Sequence, residues 1–429
     1  MANQDKAQDA PVQIILAGGT NRVYSDGDVV AGTVRVDTRI KSEHASITFE
    51  GRSMSRIKRV TGGPGPGYQL CSGKSILFRY NEALFSGGDL SSLRSGEDPF
   101  VAFPFKFSFP RVVQGDVDRG TNLKPSSHFE HEPGHALPPT MNTVVCGSTQ
   151  TVHYCLEARM PYTSHKVFNS EKMHVEFLRF IPSCADPTPT TSPDLNTHTD
   201  SVTRHTRRLD PAREHEHHGL RSHLKELFSS TSDPSATFAV TTRTPAAVSA
   251  GHALPVALSV VHRERSPELA DPPPLRLHGV RVALEALTRT RVACAGWTTD
   301  ELTALSDFDV PLAERHWDPE KHEGEAPPLL PADGEEVDVA SLTKDGELVV
   351  QKATVPTFKT YALARTYVVE VMLWIECAGK VYEIKHSKYP INVLPWPDLR
   401  VEGSEAAPWI EQEDEKASPP AYEDVAPTS

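Results

Sequence analysis

The sequence predicts an all-β protein in which two β-sandwich domains stand in tandem. Three observations predict it. Apolar residues fall on every second position in many short stretches, helical spacing between those stretches is nearly absent, and 429 residues exceed one ordinary core. Many short strands without intervening helices favour sandwiches over α/β folds. The expected division is an N-terminal segment 1–10, a first domain 11–184, a partly disordered linker 185–235, a second domain 236–395 and an acidic tail 396–429.

In the first domain, the stretch from Thr151 to Met160 sets Val152, Tyr154, Leu156, Ala158 and Met160 on one face, opposite His153, Glu157 and Arg159. A period of two gives a strand one side for a core and one for water. The run from Phe103 to Pro110 places Phe103, Phe105, Phe107 and Phe109 together, and Pro104 and Pro110 mark it as a sheet edge or strand end. Thr61 to Gly67 and Ser86 to Pro99 are rich in Gly, Ser and Pro and read as loops.

From Ala185 to Ser235 the pattern gives way to Pro, Thr, Ser, Asp, His and Arg, the composition of a linker that buries little. Within it, Leu220, Leu224, Leu227 and Phe228 have helical spacing and predict a short amphipathic helix, for docking on the protein itself ahead of the alternative, membrane contact. Alternation resumes at Thr237. Val280, Val282, Leu284, Ala286 and Val292 alternate with Arg281, Glu285, Arg289 and Arg291, and Tyr367, Val369, Val371, Leu373 and Ile375 share a face. An acidic, proline-bearing stretch near Thr299 to Leu342 reads as an interruption.

Composition narrows the function. A net charge of −13 argues against a chain built to neutralise phosphates. The N-terminus lacks a signal-peptide pattern, and no apolar run approaches about 18 residues. The six cysteines show no C-x-x-C pair and read as buried or incidental thiols of a reducing compartment, with neither a disulfide scaffold nor a zinc knuckle indicated. No cofactor motif stands out.

Several motifs suggest chemistry and fail on local grounds. His131-Glu-Pro-Gly-His135 spells H-E-x-x-H, which works only on a helix, and Pro133 and Gly134 oppose one. His215-Glu-His-His218 lies in the polar linker and reads as solvated. The glycine-rich Thr61 to Gly67 lacks the Lys-Ser/Thr ending of a phosphate loop, and no nucleophile elbow is visible. The expectation is a protein without catalytic or metal-binding residues.

The segment from Val23 to Val36, with its Gly-Asp turn and Gly-x-Val pattern, resembles the early strands of the arrestin family. Ile47 to Gly51, the Phe103 to Pro110 strand, Leu137-Pro-Pro-Thr140 and Val152 to Ala158 follow in the family's order. The family's Leu-Pro-x-Ser-Phe stands here as Leu137-Pro-Pro-Thr-Met141, a departure. Pro356 to Thr360, Tyr367 to Cys377 and Ile391-Asn-Val393 are similar to the family's carboxy domain. The resemblance implies two immunoglobulin-type sandwiches joined by a hinge, without an active site, serving as a platform between membrane cargo and trafficking machinery.

Pro419-Pro420-Ala421-Tyr422 lies within a segment that is acidic from Glu402 to Asp424. Two adjacent prolines hold polyproline II geometry before docking in an aromatic-lined WW groove, Tyr422 supplies specificity, and Val425 adds an apolar contact. Alpha-arrestin adaptors of fungi and animals carry this Pro-Pro-x-Tyr and recruit HECT-type ubiquitin ligases through it. The resemblance therefore implies a cytoplasmic adaptor, drawn to plasma membrane or endosomes by its cargo, that promotes ubiquitination and endocytosis. An arrestin-fold coat or sorting subunit working without a ligase is the alternative. Arg52, Arg56, Lys58 and Arg59 form a candidate basic patch for cargo, or equally a solvated hairpin.

Overall fold

A computed structural model describes residues 10–396, apart from 62–66, 89, 95–97, 116–124, 146–147, 164–168, 184–194, 210–232, 294–300, 318–325 and 345. The amphipathic helix expected near Leu220 and the terminal Pro-Pro-x-Tyr lie outside the described residues. Among the described residues, strands dominate and fall into two pairs of sheets.

The first pair opposes a three-stranded sheet of β1 (Val12–Leu16), β3 (Val29–Asp37) and β6 (Phe100–Ser108) to a larger sheet. The larger one runs β2 (Val23–Tyr24), β9 (Asn169–Phe180), β8 (Ser148–Thr163), β4 (His44–Thr61) and β5 (Gly67–Ser86), with β7 (Met141–Val145) also on β8. Pro104, which has no amide proton to give, sits on β6 at a sheet edge, as its chemistry requires. Val152, Tyr154, Leu156, Ala158 and Met160 are all fully buried, so the alternation in β8 marks the core face.

Aromatic rings fill that core. Phe109 lies 4.9 Å from Phe49 and 4.8 Å from Phe180, and the Tyr154 hydroxyl donates to the Pro138 carbonyl at 2.6 Å. Burying each such ring contributes roughly 1.5–3 kcal/mol. Two glycines permit the early strands. Gly27 has φ +75° in the turn where the Asp28 amide returns to the Ser25 carbonyl, and a Cβ on Gly32 would come within 2.1 Å of the Ile15 carbonyl oxygen.

In the second pair, β10 (Leu195–His205), β11 (Ser235–Pro245), β13 (Ala257–Arg265) and β16 (Asp333–Asp338) form one sheet. The facing sheet runs β12 (Ala247–Ser249), β19 (Lys380–Leu394), β18 (Leu363–Cys377), β14 (Leu275–Ala293) and β15 (Glu301–His316), with β17 (Phe358–Lys359) on β18. Between them Val280, Val282, Leu284, Tyr367, Val369, Val371 and Leu373 make a separate core.

Three expectations need correction. The region expected as linker over 185–235 contains β10, which pairs with β11 from Leu195 opposite Pro245 to His205 opposite Ser235. Its Thr199 and Thr203 hydroxyls meet those of Thr241 and Thr237 at 2.9 and 3.0 Å, a polar cross-strand ladder that hydrophobic alternation misses. The expected interruption near Thr299 to Leu342 contains β15, which pairs with β14 from Gly279 opposite His316 to Ala293 opposite Glu301. Its acidic residues answer the arginines of β14, as where Arg281 Nη2 lies 2.6 Å from Asp309 Oδ2. Finally, Cys71 is disulfide-bonded, against the reading of all six cysteines as buried or incidental thiols, while Cys155 and Cys377 are free and buried, as that reading has them.

The two sheet pairs meet along a packed seam. Phe358, Tyr361 and Leu363 of the second half bury against the core of the first. Ile57, Cys71 and Val292 form a small apolar cluster between β4, β5 and β14.

Candidate functional site

The outer face of β5, β4 and β8 collects charge. Glu50 on β4 is only 1% exposed and is ion-paired directly with Arg52 and Arg79, with Lys74 Nζ at 3.7 Å. Glu157 on β8, also buried, pairs with Arg159 and accepts from Arg52 Nη2 at 3.3 Å. A buried carboxylate is tolerated only when cations and donors surround it, and here each carboxylate has at least two cations. Glu50, Arg52, Arg79, Glu157 and Arg159, with Thr48 and Asn81, line a depression of about 260 Å3.

The network governs its neighbours. Burial, aided by the positive charge of Arg52 and Lys74, pushes the His153 imidazole down to about 4, and its ring stands edge-on to Phe177 at 5.6 Å. Burial also raises the Cys155 thiol above its ordinary value, which makes it a poor nucleophile.

The structure divides the basic patch that the sequence proposed. Arg52 belongs to the Glu50 and Glu157 network, so its charge is already answered. Arg56 and Lys58 are exposed farther along β4, on the side that also presents Met54. Arg59 lies within β4 opposite Gln69. The neighbouring strands add exposed apolar side chains, Leu70 opposite Lys58 on β5 and Val144 on β7, at 52% and 68% exposure. One end of the large sheet thus combines basic and apolar groups in reach of solvent.

The seam holds two buried arginines. Arg291, placed by its strand period on the outward face of β14, is 1% exposed because Tyr361 and Phe129 cover that face. Arg365 Nε donates to the Tyr367 hydroxyl at 2.8 Å, and that hydroxyl donates to the Val355 carbonyl at 2.5 Å. Arg291 thus keeps the alternation read from the sequence, but its face is covered: the strand runs beneath the contact between the two halves.

The H-E-x-x-H letters from His131 to His135 form a turn, with Gly134 at φ +94°. His131 Nε2 binds the Ser126 backbone and His135 Nδ1 meets the Glu132 carbonyl at 3.0 Å, so neither ring is presented as one half of a helical metal pair. Metal-ligating groups converge elsewhere. His198, Asp200 and His386 bring their ligand atoms within 4.8 Å of one another, a grouping formed only when β10 and β19 pack. Pro419, Pro420, Tyr422 and Val425 lie outside the described residues, as does the His215 to His218 cluster. No described helix is long and apolar enough to cross a membrane. No protein-family model matches the chain and no curated protein matches it, so the functional reading rests on these residues alone.

Proposed function

We propose that the chain is a non-enzymatic adaptor that joins a membrane-protein cargo to a HECT-type ubiquitin ligase. The observation that carries this reading is Pro419-Pro420-Ala421-Tyr422, following two sandwich-forming halves in a strongly acidic segment. The motif needs only an aromatic groove and a tyrosine pocket on the partner, which WW domains supply. Catalysis then belongs to the ligase, and ubiquitin passes to the cargo.

The cargo-facing surface fits the same reading. Arg56 and Lys58 stand exposed among Met54, Leu70 and Val144, a pairing of charge with apolar contact suited to a short acidic or phosphorylated cytosolic segment of a transporter or receptor. Cargo binding would bring the protein from the cytoplasm to plasma membrane or endosomes. Proximity labelling in cells with the intact chain and with Tyr422→Ala tests the proposal. A ligase labelled only by the intact chain, with membrane proteins labelled by both, supports the adaptor. Equal labelling patterns support the coat or sorting subunit instead.

A further inference from the structure

We propose that His198, Asp200 and His386 form a binding site for a divalent transition-metal ion of the Zn2+ type, which clamps β10 onto β19. β10 is an edge strand of one sheet and β19 belongs to the facing sheet, so the three residues span the open side of the second sandwich. Period two puts His198 and Asp200 on one face of β10, turned inward with Asn196 and Val202. His386 meets them from β19.

The geometry is close to that of a formed site. Nε2 of His386 is 3.4 Å from Asp200 Oδ2, and Nε2 of His198 is 3.6 Å from Asp200 Oδ1. Ligands about 2.0–2.1 Å from a tetrahedral Zn2+ stand about 3.3 Å apart. The two imidazole rings lie 4.6 Å apart. Asn196 Nδ2, donating to the Pro390 carbonyl at 3.1 Å, already ties the same strands together beside the triad.

A second observation points to a ligand. His386 is fully buried, and among the described residues its Nε2 makes no hydrogen bond, the nearest carboxylate oxygen being Asp200 Oδ2 at 3.4 Å. Its Nδ1 lies 2.7 Å from the hydroxyl of Thr242, itself fully buried on β11. With Nδ1–H donating to that hydroxyl, the lone pair rests on Nε2 and is aimed at the gap between His198 and Asp200. A partner on the far nitrogen that fixes tautomer and ring orientation is the usual companion of a metal-ligating histidine. An orphaned buried nitrogen is otherwise costly.

The donor set selects the ion. Two imidazoles and one carboxylate suit Zn2+ and its neighbours, whereas Mg2+ and Ca2+ prefer oxygen alone. His198 and Asp200 keep 40% and 49% of their side chains exposed, which leaves an entry path and room for water as fourth ligand.

Metal retention on the full chain tests the site. The background carries His215, His217 and His218 all changed to Ala, so that this sequence cluster does not contribute. After chelator treatment, Zn2+ loading and desalting, one equivalent of zinc is expected to remain and the melting temperature to rise, with Mg2+ without effect. Loss of even an outer partner weakens a metal site about 10–100-fold. His198→Ala and Asp200→Asn are therefore each expected to weaken binding at least about tenfold, with an unchanged far-ultraviolet spectrum and loss of the visible Co2+ bands. No retained zinc, or equal retention by both variants, would overturn the proposal. His386→Ala is avoided, since a fully buried ring also supports the core.

Discussion

Arg291 reaches the main chain of Tyr361, its Nε donating to the carbonyl oxygen at 2.6 Å, while its guanidinium lies 4.4 Å above the ring of Phe129. One buried cation thus joins the first half, which supplies Phe129, to two segments of the second. Planar guanidinium suits this place because it can stack and donate together, which an ammonium cannot. Arg291→Met is expected to lower unfolding free energy by about 1–3 kcal/mol, the cost of leaving the buried Tyr361 carbonyl without its donor. Arg291→Lys should recover less than half of it. Urea unfolding followed by fluorescence measures both, and a loss under about 0.5 kcal/mol for the Met variant would mean that the seam does not depend on this contact.

Glu50 separates structural charge from surface charge. Removing it leaves Arg52 and Arg79 facing each other without their shared carboxylate, so Glu50→Ala is expected to cost about 3 kcal/mol. Arg56→Glu and Lys58→Glu, on exposed side chains of the same strand, should each change stability by no more than about 0.5 kcal/mol. Reversing Arg56 and Lys58 together should nonetheless weaken binding to an acidic cargo peptide. Unchanged peptide affinity in that double variant would remove this end of the sheet as the cargo surface.

His153 gives the fold a defined pH response. Its folded value is near 4 and its unfolded value near 6.5, so between those limits the unfolded chain binds a proton that the folded chain refuses. Stability from this residue is complete above pH 6.5 and falls as pH drops toward 4, with a slope of at most about 1.4 kcal/mol per pH unit. Partial exposure of the ring reduces that slope. His153→Gln should flatten the dependence of the urea midpoint on pH between 6.5 and 4.5. An identical dependence in the variant would show that the decline comes from other groups.

What the sequence made legible follows from how fully each strand is buried. β8 and β18 have one face in a core, so their alternation carried the fold class directly, and the Gly-Asp pair at Gly27 read as the turn it forms. β10 and β15 are edge strands that bury only part of one face. Their Thr and Asp residues pair across strands with Thr and Arg, and a hydrophobic pattern does not register such pairs. Arg52 and Arg291 carried no sequence sign of burial because Glu157, and Tyr361 with Phe129, reach them from segments remote in sequence. His198 and Asp200 left one faint signal, two ligand-type residues spaced by two within an alternating Thr stretch, but nothing in the sequence could bring His386 to them.

The adaptor account rests on the Pro-Pro-x-Tyr segment being a usable ligand in the intact protein. Fluorescence-anisotropy titration of a labelled WW domain from a HECT-type ligase with the full chain measures this directly. The account predicts saturable binding that is abolished by Tyr422→Ala and left unaltered by Arg56→Glu with Lys58→Glu. Absence of binding to every such WW domain, or binding that survives Tyr422→Ala, would contradict it.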